Sequence, residues 1–351
     1  MKYIIYIAIT LIFSSCHRFF VSPEPAPTNL NIFDEYTTLI KEKYAMLEYK
    51  NVDIEALSAK IRPTISADLS EKELFNKLSE LTLSLKDGHS NLAEAAGSLS
   101  EDQLYTNYDF SEGYEATFDM EIMINNYIGK DINKNLTVLY TDDKTDVKMI
   151  YGTLPNNEDI AYVWIPSWLN PISEDEIEDF FIYAKDKKAM LVDIRGNTGG
   201  DPVLATRFAS YFLKKEVNTG FERFKIGPEK DDFKDSQNNL KSAKSENLFH
   251  KEVAVLIDRS VYSAALTFSY SLFPLDNITF IGQRAGGGSG SVADGYLLNG
   301  WYWSLSVSEY FDYQGNHLDN GFEPDIPVKL DLDQKDKDEI IEKAIEFLDK
   351  K

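Results

Sequence analysis

The chain has 351 residues, 43% of them hydrophobic and 13% aromatic, enough for one large domain or two modest ones around a sizeable core. Its 58 acidic and 36 basic residues give a formal net charge of -22, which argues against binding nucleic acid or docking directly on anionic lipid, because both demand a basic face. A single cysteine excludes an internal disulfide, and no His/Cys set has zinc-ligand spacing.

Lys2, the apolar run of residues 3–13 and the small residues Ser14-Ser15-Cys16 read as an export signal. The run is too short for a transmembrane span, which needs about 20 apolar residues. Cys16 at its end resembles the lipobox of bacterial lipoproteins, whose cysteine is acylated and becomes the new N-terminus. Phe13 departs from it, standing where a smaller aliphatic residue is usual. The resemblance implies a lipoprotein-type signal peptide over residues 1–16, lipidation of Cys16 and a place in the cell envelope, facing periplasm or cell surface; plain secretion is the alternative. Residues 17–32, with Pro23, Pro25 and Pro27, read as a stiff tether.

Residues 33–100 form an N-terminal helical segment. Residues 33–48 and 70–85 carry apolar side chains at helical spacing, the second with Leu74, Leu78, Leu81 and Leu85 on one face behind a Ser70/Glu73 capping box. His89 falls just past that helix. Residues 101–155 read as an irregular β segment with no clear PDZ domain. Residues 156–330 then alternate. Strands are predicted at 160–165, 189–194, 253–257 and 278–281, with helices at 173–185, 201–213 and 263–273 between them. This is an α/β core with right-handed crossovers, whose active residues are expected at strand ends. Residues 225–244, rich in Lys, Asp, Ser and Asn, read as a mobile surface insertion. Asn299-Gly300 predicts a hairpin between two aromatic-rich runs, and residues 331–351 hold a terminal helix over 335–348.

Three segments carry chemistry: Asp87-Gly88-His89-Ser90, then Asp193-Ile194-Arg195-Gly196-Asn197-Thr198-Gly199-Gly200, then Arg259-Ser260-Val261-Tyr262-Ser263-Ala264-Ala265. Acyl transfer needs a hydroxyl nucleophile, an imidazole to take its proton and backbone N–H donors for the oxyanion; these segments can supply one each. Ser263 lies between a strand and a helix, where a serine is either a nucleophile or an N-cap, and local context alone favours the cap. Asp193 and Arg195 read as braces of the turn.

In this order the segments resemble the tail-specific, or C-terminal-processing, serine peptidases, and more closely the branch that includes the tricorn protease core. The resemblance implies a ClpP/crotonase-like catalytic core preceded by a helical segment. It makes Ser263 the nucleophile, and gives the oxyanion hole to one glycine of Gly199 and Gly200 together with the N–H of Ala264. Leu266 stands where the family usually has a glutamate. Relatives that use a lysine base carry it in the loop corresponding to residues 282–290, yet no lysine occurs from 252 to 328, and Arg284 cannot give up its proton. A histidine base fits better, and Asp87-Gly88-His89 matches the tricorn-branch motif, leaving His17, His250 and His317 aside. Asp319 is the candidate for orienting His89 and Glu323 the runner-up, with a plain polar turn before Pro324 as the alternative for both. The activity implied is serine endopeptidase action on protein or peptide substrates, with no cofactor, no metal, no nucleic acid and membrane contact only through the lipid anchor. The alternative is a catalytically silent member binding peptides or small hydrophobic ligands.

Overall fold

The computed structural model describes residues 25–96, 103–110, 118–129, 135–331 and 333–351; the expected signal peptide, Cys16 and residues 17–24 of the tether lie outside them. In chain order come helices α1 (Asn29–Lys43), α2 (Ile54–Ile61) and α3 (Glu71–Ser84), then strands β1 (Asn91–Ala93) and β2 (Tyr105–Asn107). Helix α4 (Met120–Met123) runs on as a π turn over Ile124–Ile128, followed by β3 (Leu136–Tyr140) and β4 (Val147–Gly152). The alternating part follows as β5 (Ile160–Trp164), α5 (Glu174–Ala184), β6 (Ala189–Asp193) and α6 (Pro202–Ala209). Next are β7 (Val217–Lys225), β8 (Phe233–Leu240), β9 (Val253–Ile257), α7 (Ala264–Leu272) and β10 (Ile278–Gly282). Four strands, β11 (Val292–Tyr296), β12 (Tyr302–Ser306), β13 (Ser308–Asp312) and β14 (Ile326–Pro327), precede the terminal helix α8 (Glu339–Asp349). No helix among the described residues is long and apolar enough to cross a membrane.

The core is a seven-stranded sheet in the order β14-β10-β9-β6-β5-β4-β3. From β14 to β5 the pairings are parallel, and β4 and β3 add an antiparallel edge. Alternate residues of each strand serve opposite faces: Val253, Val255 and Ile257 of β9 pack with Phe180, Phe208 and Phe268, while Ala254 and Leu256 meet Ile340, Ile341 and Leu348 of α8. Both faces are therefore covered, which is why β5 and β9 are unbroken apolar runs, β6 is one up to Asp193, and every residue of the three is buried. Each Val, Leu or Ile so buried contributes about 1.5–3 kcal/mol relative to exposure.

The N-terminal helices form a second core on the sheet β11-β12-β1-β2. Ser70 and Glu73 make the reciprocal capping box in front of α3. Helix α1 ends before its apolar spacing runs out, because Tyr44 turns extended and the Ala45 N–H donates to the Ser306 carbonyl at 2.9 Å. The Asn299-Gly300 hairpin is present, with a three-residue connection closed by the Leu297 N–H to the Trp301 carbonyl at 2.8 Å and Gly300 at φ 87°.

Residues 225–244 depart from the sequence expectation. They contain β8, which pairs with β7 along eight positions in a three-stranded sheet ordered β13-β7-β8. None of the eight β8 side chains is fully buried, so its conformation comes from the backbone ladder with β7. A polar strand of this kind shows no hydrophobic alternation to read.

Candidate active site

Strand β9 ends at Ile257, and the turn after it sets Ser263 at the head of α7 with φ 54° and ψ -122°. A non-glycine residue at positive φ is strained by about 1–3 kcal/mol, and such strain concentrates at functional turns. The backbone around it is fixed: the Ser263 N–H donates to the Gly287 carbonyl and its own carbonyl accepts from the Thr267 N–H, both at 3.0 Å. The side chain makes no capping hydrogen bond. Ser263 thus occupies the N-cap position without capping, and its hydroxyl is left to the cleft it lines.

Gly199 and Gly200 follow β6, the neighbour of β9 in the sheet, and their two N–H groups differ. The Gly199 N–H is committed to Asn197 Oδ1 at 2.9 Å, whereas those of Gly200 and Ala264 donate to no protein acceptor among the described residues. Gly200 and Ala264 both line the cleft beside Ser263. Gly199 supplies close approach instead: a Cβ on it would lie 2.7 Å from the Ser263 Cβ, and one on Gly200 2.2 Å from the Leu169 nitrogen.

His89 reaches the same cleft from the N-terminal helices. Its N–H donates to Asp87 Oδ1 at 3.0 Å, and its carbonyl accepts from Ser304 Oγ at 2.8 Å and Asn91 Nδ2 at 3.0 Å. Ser306 Oγ and Ser90 Oγ donate to Asp87 Oδ2 at 2.7 and 2.8 Å. The pairing of β1 with β12, Asn91 opposite Ser304, is what carries the imidazole across the molecule. Its ring sits 5.0 Å from that of Tyr262, the residue before Ser263, and its Nδ1 is buried with no hydrogen-bond partner among the described residues.

Asp319 is not placed against that nitrogen. A buried carboxylate takes the nearest cation, and here Lys50 Nζ lies 2.7 Å from Asp319 Oδ2 while also donating to the Lys86 carbonyl at 2.7 Å. Burial raises the Asp319 carboxyl and Asp87 raises it further, against the opposing pull of Lys50. Burial likewise acts to raise Asp87, but Lys50, His89 and the bonds from the His89 N–H and Ser306 outweigh it, and Asp87 is held below the usual carboxylate range. Glu323 pairs with Arg284 at the surface. Sequence reasoning missed Lys50, Ser304 and Ser306. Lys50 carries no motif, and the two serines lie on β12, more than 200 residues from the histidine they seat.

The turn after β6 is braced as expected. Arg195 Nε and Nη2 meet the two oxygens of Asp193 at 2.9 and 2.7 Å, and Nη1 meets Asp338 at 2.7 Å, all three side chains buried. Leu266, on the first turn of α7, packs with Tyr270, Tyr310 and Leu318, so an apolar cluster fills its place. Ser263, His89, Gly200 and Ala264 open onto a single cleft of about 680 Å³. Among the described residues no group of three or more His, Cys, Asp or Glu is placed to hold a metal ion.

Residues 159–328, which span the parallel strands of this sheet and the turns at their ends, match the sequence profile of Peptidase family S41. Over these residues the core is similar to the S41 serine peptidases. Among solved structures, a candidate peptidase from Parabacteroides merdae ATCC 43184 is similar at 28% identity and a TM-score of 0.79, over 92% of this chain and 96% of that one. The photosystem II D1 C-terminal processing protease shares the fold at 11% identity and TM-score 0.52, over 92% and 98%. The tricorn protease does so at 16% and 0.55, over 92% of this chain and 36% of its own. No curated protein matches the chain. The matched segment holds the parallel strands and both turns at the cleft, and the segment N-terminal to it adds the imidazole.

Proposed function

We propose that the protein is an endopeptidase of the cell envelope that cleaves protein or peptide chains through a Ser263–His89 acyl-enzyme mechanism, of the kind the tricorn branch uses. The observation that carries this reading is the strained Ser263, free of any capping bond, in one cleft with His89 and with the uncommitted N–H groups of Gly200 and Ala264. Ser263 Oγ attacks the scissile carbonyl as His89 takes its proton, and the carbonyl oxygen, now anionic, is held by the Gly200 and Ala264 N–H groups. The amine leaves with the proton from His89. Water, deprotonated in turn by His89, then releases the acid product. The buried Asp87 carboxylate favours the imidazolium formed in both steps.

The test is labelling by a serine-directed fluorophosphonate with identification of the modified peptide. Label on Ser263, lost in Ser263→Ala and sharply reduced in His89→Ala, is expected; a folded Ser263→Ala protein that still cleaves peptides overturns the assignment. Anchoring through Cys16 is part of the proposal: wild-type protein should be lipidated and partition with membranes, because stable anchoring takes two acyl chains or more, and Cys16→Ser should carry no lipid and either keep its uncleaved signal or be released in soluble form.

A further inference from the structure

The cleft has a second chemical feature that peptide hydrolysis does not use. Among its lining residues Glu222 is the single carboxylate, and no lysine or arginine lines it at all. Glu222 projects from β7 opposite Tyr310 of β13. Its Oε1 is pinned by three donors: the Ser291 N–H at 3.0 Å, Ser291 Oγ at 2.7 Å and Ser308 Oγ. Oε2 takes none of these bonds. The cations nearby are spent elsewhere, Arg223 on Asp235 and Glu309, and no Lys or Arg of the described residues pairs with Glu222. A carboxylate held rigidly in a cleft, with one oxygen unused and no counter-ion, is the complement of a cation.

The approach to it is shaped for a long side chain. Tyr270 and Tyr310 stack at 4.1 Å between rings, both line the cleft, and the negative charge of Glu222 helps to raise both phenols. Tyr270 lies seven residues after Ser263 on α7, a rise of about 10 Å at helical spacing. An aliphatic stem laid past the two rings where they line the cleft therefore carries a terminal charge from the scissile bond to Glu222.

We infer that this cleft selects a substrate cation, with Glu222 as the specificity-determining residue: a lysine or arginine side chain next to the scissile bond, or the free ammonium of a nearby peptide N-terminus. The inference rests on the peptidase reading for its register, and the test separates the two. The purified full-length protein is given peptides that differ in one group: lysine against acetyl-lysine, and free against acetylated N-terminus. Cleavage sites and kcat/KM are read by mass spectrometry. Binding of the same peptides to Ser263→Ala is read by calorimetry. A preference of tenfold or more for the lysine peptide places the side chain in the site, and the same preference for the free N-terminus places the ammonium there. In Glu222→Gln, which keeps an acceptor for Ser291 and Ser308, the ratio should fall close to one, mainly through KM; Glu222→Lys should reverse it towards acidic peptides. Equal handling of charged and acetylated peptides by the wild-type protein overturns the inference and leaves the peptidase standing. Cation-selective binding to Ser263→Ala with no cleavage by the wild-type protein overturns the peptidase and leaves the cation site.

Discussion

The seven-stranded sheet and the three-stranded sheet β13-β7-β8 meet at the same cleft and are held together by opposite means. The first is a stack of side chains, with β6 and β9 buried along their whole length, and it presents Ser263 and Gly200 from turns anchored in that core. In the second, the edge strand β8 is held by backbone pairing, since it hides none of its side chains fully, and it presents Gln237, Asn238 and Asn239 to the space a substrate would enter. The proposed nucleophile and oxyanion donor need fixed geometry and come from the packed layer; the groups proposed to select among substrates come from the paired one. Substitutions in the two layers should therefore separate stability from selectivity.

The largest effect belongs to the packed layer. Arg195→Met leaves Asp193 and Asp338 buried together without their cation, and breaking a buried ion pair this way costs about 3–5 kcal/mol. Urea titration should show it as a lower midpoint; a variant as stable as the parent would break the comparison.

The seam between N-terminal helices and core comes next. Asp87→Asn removes an ionised acceptor of three hydrogen bonds, at an expected cost of about 2 kcal/mol near neutral pH. The folded Asp87 carboxyl is held below its ordinary range, so its contribution is complete above the unfolded carboxyl range and is lost as pH falls through the depressed value. The gap in Tm between parent and variant should accordingly narrow on acidification, and a gap that widens there contradicts the sign.

Ser263→Gly should move stability the other way. Glycine accepts φ 54° without strain, so the inactive variant should gain about 1 kcal/mol, whereas Ser263→Ala should gain nothing. Equal stability of the two variants removes strain from the account of the nucleophile. The smallest change in stability is expected in the paired layer. Asn239→Ala, at an exposed position lining the cleft, should stay within about 0.5 kcal/mol of the parent while raising KM for peptide substrates severalfold.

How much of this is legible in the sequence follows the same division. Strands buried on both faces announce themselves as apolar runs, so the alternation from β5 to β10 and the α/β class could be read directly. Strand β8, Phe233–Leu240, could not, because its neighbour β7 determines it and its own residues encode only polarity. At the site, the family resemblance pointed to Ser263 and His89, whereas which of the Gly199 and Gly200 N–H groups is uncommitted depends on the bond from Gly199 to Asn197, which no pattern records. Asp319 was the natural partner for His89 by position in the chain. Burial gave it to Lys50 instead, a contact between residues 269 positions apart that no local pattern records.

The pairing of β1 with β12 makes this protein's chemistry depend on its own completion. The loop bearing His89 is made early, but the hydroxyls that seat it, on Ser304 and Ser306, come from near the far end of the chain. A chain emerging from its N-terminus holds a nucleophile turn before it holds an anchored proton acceptor. While residues 302–306 are still missing, Ser263 has no seated base to activate it. On the proposed mechanism the topology thus works as an interlock, keeping the peptidase inert towards itself and its neighbours until segments from both ends of the chain have folded together.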